Sequence, residues 1–184
     1  MDHALFLDSL RAIVGEAGLV CDAEKLSRYT REWRGKFASG AIAAVRPAST
    51  AEVSAVVATC TEYGIAITPQ GGNTGLVGGS VPIDISGEIV LSLERMNAIE
   101  DVDPDGNTMV VQAGCILAQA QQAAEQVDRI FPLSLGAEGS CMIGGNLSTN
   151  AGGINVIRYG NMRDLVLGLE VVLADGRVWN GMNR

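Results

Sequence analysis

Apolar residues recur at spacings of three and four along three stretches of the chain, the pattern of a helix with one buried face. The first stretch covers residues 6–17, and Gly18 is expected to take the left-handed conformation that ends a helix. The second stretch, Val53 to Cys60, follows Ser49-Thr50-Ala51-Glu52, a capping box in which both polar side chains bond free backbone amides. The third covers residues 116–127. The pattern therefore predicts three amphipathic helices.

Short apolar runs around the second helix predict a parallel part of the fold. Residues 41–46 precede this helix and residues 65–68 follow it, in the order of a β-α-β unit with a right-handed crossover. These two strands are expected to pair in parallel, and residues 88–93 predict a third strand. Residues 22–38 are polar and mixed and predict no regular element.

The later apolar runs predict antiparallel pairs. Residues 98–103 and 108–113 flank Pro104-Asp105-Gly106-Asn107, a turn in which the proline presets φ and the glycine is expected to accept a positive φ. Residues 166–173 and 177–179 predict a second hairpin in the same half of the chain. The predicted fold class is therefore α+β: a small parallel β-α-β subdomain, followed by an antiparallel-sheet subdomain with flanking helices.

Composition excludes several classes of protein. Of the 184 residues, 47% are hydrophobic and 18% are charged, which excludes intrinsic disorder. The net charge is −8 with only two lysines, so a nucleic-acid partner is not expected. No apolar run is long enough for a membrane span. Because His3 is the only histidine, neither a zinc site nor a Ser-His-Asp triad is expected, and no metal ligand is predicted.

Glycine is concentrated in residues 70–80 and 136–153, which together hold 11 of the 23 glycines. Consecutive backbone N–H groups in such stretches can bind a phosphate or pyrophosphate without any cationic side chain. The Walker A pattern is absent because neither lysine lies near a glycine-rich stretch, and no Gly-x-Gly of the Rossmann fingerprint occurs. The sequence therefore predicts a pyrophosphate-bearing cofactor held by two separate glycine-rich loops.

Seven segments of the chain resemble one family of flavoproteins. They are Arg46-Pro47, Thr50–Val53 (TAEV), Thr68–Gly75 (TPQGGNTG), Pro132–Gly136 (PLSLG), Ile143–Gly153 (IGGNLSTNAGG), Arg158–Asn161 (RYGN) and Val166–Gly176 (VLGLEVVLADG). This set is similar to the FAD-linked oxidases of the vanillyl-alcohol oxidase/PCMH superfamily. Within that superfamily it looks closest to the FAD-dependent D-2-hydroxyacid dehydrogenases, a branch that includes D-2-hydroxyglutarate and D-lactate dehydrogenases.

The resemblance implies a PCMH-type FAD-binding fold, truncated at the C-terminus. It implies an N-terminal helical segment over residues 1–38 and an incomplete FAD-binding domain over residues 39–184, with the C-terminal substrate domain absent. The implied cofactor-binding residues are Pro69, Gly71, Gly72, Asn73, Thr74, Gly75 and Ser80 around the first loop, and Pro132, Gly136, Ser140, Gly144, Gly145, Asn146, Thr149, Asn150, Gly152 and Gly153 around the second. Some relatives tether the flavin through a histidine in the first loop. Asn73 stands at that place here, so the implied FAD is non-covalent.

The implied activity is oxidation of a D-2-hydroxy acid to the 2-oxo acid by hydride transfer to FAD. No catalytic residue is assigned within the chain, and this portion alone is expected to be inactive. The implied partners are a small 2-hydroxy acid and an electron acceptor such as an electron-transfer flavoprotein or a quinone, with a homodimer as the possible assembly. The first residues carry no targeting signal, which predicts a cytoplasmic location.

Three alternatives to this assignment stay open. The first is a glycolate-oxidase-type FAD subunit, which shares the cofactor-binding part of the assignment. The second is a non-catalytic flavin-binding module. The third is a nucleotide-binding regulator without redox chemistry, which would bind ADP or ATP as tightly as FAD.

Overall fold

The computed structural model describes residues 3–83 and 87–182. The chain folds as two compact units, Met1–Arg95 with Gly168–Arg184 as the first, and Met96–Leu167 as the second. The division into a segment 1–38 and a domain from residue 39 onward stays a prediction about the domain organisation of the family.

The first unit is built on a four-stranded sheet with the order β1-β2-β4-β3. Strands β2 (Ala44–Val45) and β3 (Ala66–Gln70) each pair in parallel with β4 (Glu88–Ser92), and β1 (Leu19–Val20) pairs antiparallel with β2. The prediction that the two strands of the β-α-β unit pair with each other is therefore wrong. All five residues of β4 are buried, and the most buried strand takes the central place, where both edges are covered.

Helix α1 (His3–Val14) ends earlier than the sequence pattern predicts. Gly15 follows it with φ +69°, and a 3₁₀ turn over Glu16–Gly18 leads into β1. The prediction that Gly18 is the left-handed cap is wrong, because the helix ends at Val14 and Gly18 has no positive φ. Gly18 serves close packing instead: a Cβ there would lie 2.6 Å from the Cβ of Val14.

Helix α2 (Ala23–Thr30) lies where the apolar pattern predicts no element but within the N-terminal helical segment that the resemblance implies, and Asp22 caps it by accepting a hydrogen bond from the Lys25 N–H at 3.0 Å. Most residues of this helix are polar, and only Leu26, Tyr29 and Thr30 are buried. Helix α3 (Thr50–Tyr63) confirms the second predicted helix and ends at Gly64 in the left-handed conformation. Ser49 accepts from the Glu52 N–H as predicted, whereas the Glu52 carboxylate accepts from the N–H of Ala48, one residue before the cap.

The second unit contains one antiparallel hairpin, β5 (Ile99–Asp103) with β6 (Thr108–Val111), as predicted. Its turn differs from the prediction, since Asn107 takes the positive φ of +53°. A Cβ at Gly106 would lie 2.6 Å from the Asp103 carboxylate, so this side chain, which accepts the Gly106 N–H at 2.9 Å, would have to shift. The helices of this unit are short: α4 (Leu117–Glu125), α5 (Ile143–Ser148), α6 (Val156–Tyr159) and a 3₁₀ turn over Met162–Leu165.

The last hairpin, β7 (Glu170–Val172) with β8 (Val178–Asn180), belongs to the first unit rather than to the antiparallel half in which the sequence placed it. It is held on α3 by side-chain bonds: Ser54 Oγ donates to the Gly176 carbonyl at 2.5 Å, and Thr50 Oγ1 donates to the Glu170 carboxylate at 2.6 Å. These bonds join positions more than a hundred residues apart, which no local pattern can indicate.

A carboxylate at the end of β4 joins three elements of the first unit. Glu94 accepts hydrogen bonds from Arg46 Nη1 at 2.9 Å, from Arg28 Nη2 at 2.8 Å and from the Tyr29 hydroxyl at 2.8 Å. Burial acts to raise the pKa of Glu94, but these hydrogen bonds and the two guanidinium charges outweigh it, so the pKa lies below its ordinary value. The cluster therefore ties α2 to the ends of β2 and β4.

Glu94→Gln is expected to lower the free energy of unfolding at pH 7 by about 1–2 kcal/mol, between the values for exposed and buried ion pairs. Because the folded pKa is depressed, the Glu94 contribution is present above the ordinary value of 4.5 and is lost as the pH falls through the folded pKa. Urea unfolding between pH 7 and pH 3 measures both effects. Asp8→Asn, which removes the exposed pair with Arg11, is the control. Equal unfolding midpoints for Glu94→Gln and wild type at pH 7 would contradict this prediction.

Candidate functional site

The first glycine loop, residues 70–80, leaves the sheet at the end of β3. Gln70 at its start is only 3% exposed, and its Nε2 donates to the Tyr29 carbonyl at 2.8 Å and to the Ser80 carbonyl at 2.7 Å. Because Ser80 is the last residue of the loop, one buried amide joins both ends of the loop to α2. The loop is therefore anchored, although most of its residues lie at the surface.

Asn73 and Ser80 hold the interior of the first glycine loop. Asn73 has φ +52°, a conformation that asparagine tolerates better than most residues. Its Nδ2 donates to the Arg31 carbonyl at 2.9 Å, and its Oδ1 accepts from Ser80 Oγ at 2.7 Å. Both polar atoms of the Asn73 side chain are thus used inside the protein, and direct contact of either side chain with FAD stays a prediction.

The backbone amides at the start of the first glycine loop are open. Within residues 3–83 and 87–182, no protein acceptor is found for the N–H groups of Gly71, Gly72, Asn73, Thr74 or Gly75. The loop contains no charged residue. A run of free N–H groups attracts an anion through backbone dipoles alone. The geometry therefore suits the pyrophosphate that the sequence assigns to this loop.

The second glycine segment, residues 136–153, is not one continuous loop as the sequence predicts, because α5 occupies its middle. Gly144 lies within α5, and its N–H donates to the Ala113 carbonyl at 2.8 Å. A Cβ at Gly144 would lie 2.8 Å from the Cβ of Ala113 and 3.0 Å from the Ala113 carbonyl oxygen. Close packing of backbone on backbone therefore explains this glycine without any ligand.

Two asparagines of the second glycine segment are used inside the second unit. Asn146 is 5% exposed, and its Nδ2 contacts the Cys141 sulfur at 3.4 Å. Asn150 has φ +50°, and its Oδ1 accepts from the Arg163 N–H at 3.0 Å. The Arg163 guanidinium also donates to the last two carbonyls of α5, at 3.1 and 2.8 Å. Arg163 therefore fixes the residues that follow α5.

Glu138 is the one charged residue of the second glycine segment. Its carboxylate accepts from Ser134 Oγ at 2.7 Å and from the Leu135 N–H at 3.0 Å. Hydrogen bonds from Ser134 and Gln121 hold the pKa of Glu138 below its ordinary value. Because the carboxyl stays ionised at neutral pH, Glu138 shapes the entry to the segment and is poorly suited to donate a proton.

The predicted cofactor residues form two groups, one in each unit: seven between Pro69 and Ser80, and ten between Pro132 and Gly153. Of the residues not yet described, the Pro132 carbonyl accepts from Asn155 Nδ2 at 3.0 Å. Thr149 Oγ1 donates to the Gly145 carbonyl at 3.0 Å. Each group is compact along the chain, and its assignment to FAD stays a prediction.

The sequence assigned no role to Glu32 or Gln70, and for Arg163 it favoured an ordinary salt bridge with Asp164 or Glu170 over pairing with phosphate, although all three shape the candidate site. Gln70 could have been suspected, since it is a polar residue directly between a strand and Gly71. Nothing in the local sequence marks Glu32 as buried, and Arg163 acts on carbonyls more than ten residues away. These roles depend on tertiary contacts.

Three of the predicted cofactor-binding glycines have no explanation within the protein. A Cβ at Gly75, Gly136 or Gly145 would meet no protein atom within 4 Å, and none of the three has a positive φ. Glycine loses more conformational entropy on folding than other residues do, and it is commonly found where a ligand lies close to the backbone. The free space at these positions therefore fits a cofactor that lies against the main chain.

Neither a metal-binding cluster nor a membrane-spanning helix is found among the residues that the structure describes. Within the described part of the chain, no group of three or more His, Cys, Asp or Glu side chains could hold a metal ion. Among the same residues, no helix is both long enough and apolar enough to cross a membrane.

The backbone defines the class of protein as an FAD-binding fold of the PCMH type. The chain superposes on alkyldihydroxyacetonephosphate synthase with TM-score 0.88 and 20% identity, over 98% of this chain and 35% of that chain. It superposes on p-cresol methylhydroxylase with TM-score 0.78 and 25% identity, over 96% of this chain and 34% of that chain. The match to the first structure shows the fold alone.

The chain belongs to the family described as FAD binding domain, which matches residues 41–181. It is 46% identical over 168 residues to the probable mitochondrial D-2-hydroxyglutarate dehydrogenase of Oryza sativa subsp. indica, covering 91% of this chain and 30% of the relative. It is 47% identical over 161 residues to the mitochondrial D-2-hydroxyglutarate dehydrogenase of Danio rerio, covering 88% of this chain and 30% of the relative. The chain thus spans about a third of the length of these relatives. The predicted fold, family and FAD cofactor are confirmed.

The predicted cytoplasmic location is wrong by the same comparison. The relatives from rice and zebrafish are both named as mitochondrial proteins. The prediction rested only on the composition of the first residues of the chain.

Proposed function

We propose that this chain is the FAD-holding portion of a dehydrogenase that oxidises a D-2-hydroxy acid, of the D-2-hydroxyglutarate or D-lactate class, to the 2-oxo acid. The observation that carries the proposal is the 46–47% identity to relatives named D-2-hydroxyglutarate dehydrogenase, sustained over 88–91% of the chain. The matched region contains both glycine-rich stretches, so the resemblance includes the candidate site itself.

The two glycine-rich stretches are proposed to bind different parts of FAD. The open amides of Gly71 to Gly75 suit the pyrophosphate, and the free space at Gly136 and Gly145 suits the flavin and ribityl part. Bound FAD would accept a hydride from C2 of the hydroxy acid, while the hydroxyl proton passes to a base. The groups that bind the substrate and take this proton are proposed to lie in the part of the relatives that the chain does not match.

The FAD is proposed to be non-covalent. Asn73 occupies the place where some relatives carry a tethering histidine, and both of its polar side-chain atoms are bonded within the protein. The electron acceptor is proposed to be an electron-transfer flavoprotein or a quinone, and the assembly a homodimer.

Loading the purified chain with FAD and desalting it is expected to leave flavin absorbance in the protein fraction. Because the cofactor is held by backbone amides and packing rather than a covalent bond, acid precipitation should then release all of the flavin to the supernatant. Flavin that stays in the pellet would contradict non-covalent binding. Absence of retained flavin, with ADP or ATP bound instead, would favour the nucleotide-binding regulator.

The substrate is tested on a chain of the relatives' full length. D-2-Hydroxyglutarate or D-lactate is expected to bleach the flavin absorbance under anaerobic conditions, whereas glycolate is not. Bleaching by glycolate alone would support the glycolate-oxidase-type assignment. Retained flavin that no 2-hydroxy acid bleaches would support a non-catalytic module.

A further inference from the structure

Glu32 is a fully buried carboxylate, 1% exposed, at the base of an exposed turn. The turn, here called the Glu32 turn, comprises residues 31–38 and is closed by a bridge between Arg31 and Ala38. The Glu32 N–H donates to the Phe37 carbonyl at 3.1 Å. A buried charge is costly unless it is fully hydrogen-bonded, so a carboxylate in this position needs specific partners.

The partners of the Glu32 carboxylate come from the turn itself. One oxygen accepts from the Arg34 N–H at 2.7 Å, and the other accepts from the N–H groups of Lys36 at 2.5 Å and Phe37 at 3.3 Å. The Arg34 Nε lies 3.6 Å from the first oxygen. Burial acts to raise the pKa of Glu32, but these donors outweigh it, so the pKa lies below its ordinary value. One carboxylate thus accepts hydrogen bonds from three backbone N–H groups of the turn, those of Arg34, Lys36 and Phe37.

The Glu32 turn in turn supports the first glycine loop at three points. Arg34 Nη2 donates to the Leu76 carbonyl in the middle of the loop. The Arg31 carbonyl accepts from Asn73, the residue that takes a positive φ. The Phe37 ring lies so close to Gly78 that a Cβ there would be 2.8 Å from it. The shape of the loop therefore depends on the shape of the turn.

We propose that Glu32 is a positioning residue for the cofactor: its carboxylate holds the Glu32 turn, and the turn holds the open amides of the first glycine loop in the arrangement that binds the pyrophosphate. This inference rests on the proposed assignment of that loop to FAD. Glu32 acts through Arg31, Arg34 and Phe37 and does not itself touch the cofactor. The lowered pKa keeps its carboxylate ionised across the neutral range.

Glu32→Gln is the direct test, because it keeps the size of the side chain and replaces one acceptor oxygen by an NH₂ donor that faces backbone N–H groups. We expect the Kd for FAD, measured by flavin fluorescence, to rise at least about tenfold. Glu32→Asp retains the carboxylate and should recover part of the affinity. Glu52→Gln is the matched control, since its carboxylate also accepts a backbone N–H but at the start of α3, and it should leave the Kd unchanged.

A second measurement without FAD separates this inference from the proposed function. In ¹⁵N-HSQC spectra of the chain, the amide signals of Gly71, Gly72 and Gly75 should move or broaden in Glu32→Gln and stay in place in Glu52→Gln. Arg34→Met removes the donor to Leu76 and the Nε charge near Glu32, but it keeps the Glu32 carboxylate and the Arg34 N–H that donates to it, and it should move the same signals if Glu32→Gln fails to fold.

The outcomes are distinct. If the wild-type chain binds no FAD, the proposed assignment of the first glycine loop to FAD fails, while shifted glycine signals would still support the effect of Glu32 on the shape of that loop. If the wild type binds FAD and the Glu32→Gln or Arg34→Met variant leaves both the Kd and the glycine signals unchanged, the positioning role is overturned and the proposed function stands.

Discussion

Gly153→Ala is expected to lower the free energy of unfolding by about 3 kcal/mol, at the upper end of what overpacking costs. An added Cβ at Gly153 would lie 2.1 Å from the Ser134 carbonyl oxygen and 2.9 Å from its carbonyl carbon. Both are backbone atoms, so no side-chain rotation can relieve the clash. The Ser134 carbonyl also accepts a hydrogen bond from the Ile154 N–H at 3.1 Å, which holds the backbone around Ser134 against the backbone around Gly153.

Urea unfolding at pH 7 measures the effect, and the neighbouring glycine supplies the control. At Gly152 the nearest atom to an added Cβ is Asn161 Oδ1, 3.1 Å away, and a side-chain end can move. Gly152→Ala should therefore change the free energy of unfolding by less than about 1 kcal/mol. Equal unfolding midpoints for the two variants would show that Ser134 is free to shift and that Gly153 has another role.

The sequence predicts a helix or hairpin of this fold well where a single segment contains the capping or turn residues together with the apolar pattern. Helix α3 has its capping residues, its buried face and its terminal Gly64 within 16 residues, and the structure confirms the Ser49 cap, the buried face and the Gly64 end, whereas Glu52 bonds the N–H of Ala48. The β5–β6 hairpin is likewise encoded by its turn. Helix α2 was missed because its buried residues Leu26, Tyr29 and Thr30 are too few and too polar to produce a periodic pattern.

Strand order was beyond prediction for a different reason. A β-α-β pattern fixes the direction of two strands but leaves open whether a third strand enters between them. Here β4 does so, because its run of buried residues favours a position with neighbours on both sides. The last hairpin shows the same limit, since the bonds from Ser54 and Thr50 that hold it on α3 join positions more than a hundred residues apart.

The location of the candidate site could be predicted from the composition of the sequence, but the role of each residue in it could not. Glycine clustering correctly directed attention to residues 70–80 and 136–153. It did not distinguish glycines that the protein needs for packing, such as Gly144 and Gly153, from those that it does not need, such as Gly145. That distinction requires the positions of neighbouring atoms. It is the reason that alanine is expected to have different effects at Gly153 and at Gly145.

Gly145→Ala is expected to have opposite effects on stability and on cofactor affinity. Gly145 lies within α5, has room for a Cβ and has no positive φ, so alanine should raise the free energy of unfolding by about 0.5–1 kcal/mol through its higher helix propensity. If FAD lies against this backbone, the same methyl group must displace it. The Kd for FAD should then rise about a hundredfold, which corresponds to an overpacking cost of about 3 kcal/mol.

Gly139→Ala is the matched control for this prediction, because Gly139 lies in the same segment, also has open space around it, and has no assigned contact with FAD. Flavin-fluorescence titration and urea unfolding of both variants give the two quantities. A stabilised Gly145→Ala chain that binds FAD as tightly as wild type would remove Gly145 from the cofactor site. An equal loss of affinity in both variants would mean that the whole segment, rather than one face of α5, lies against the cofactor. Only the combination of higher stability, lost affinity at Gly145 and unchanged affinity at Gly139 places the flavin beside this helix, because no purely structural role of a glycine produces it.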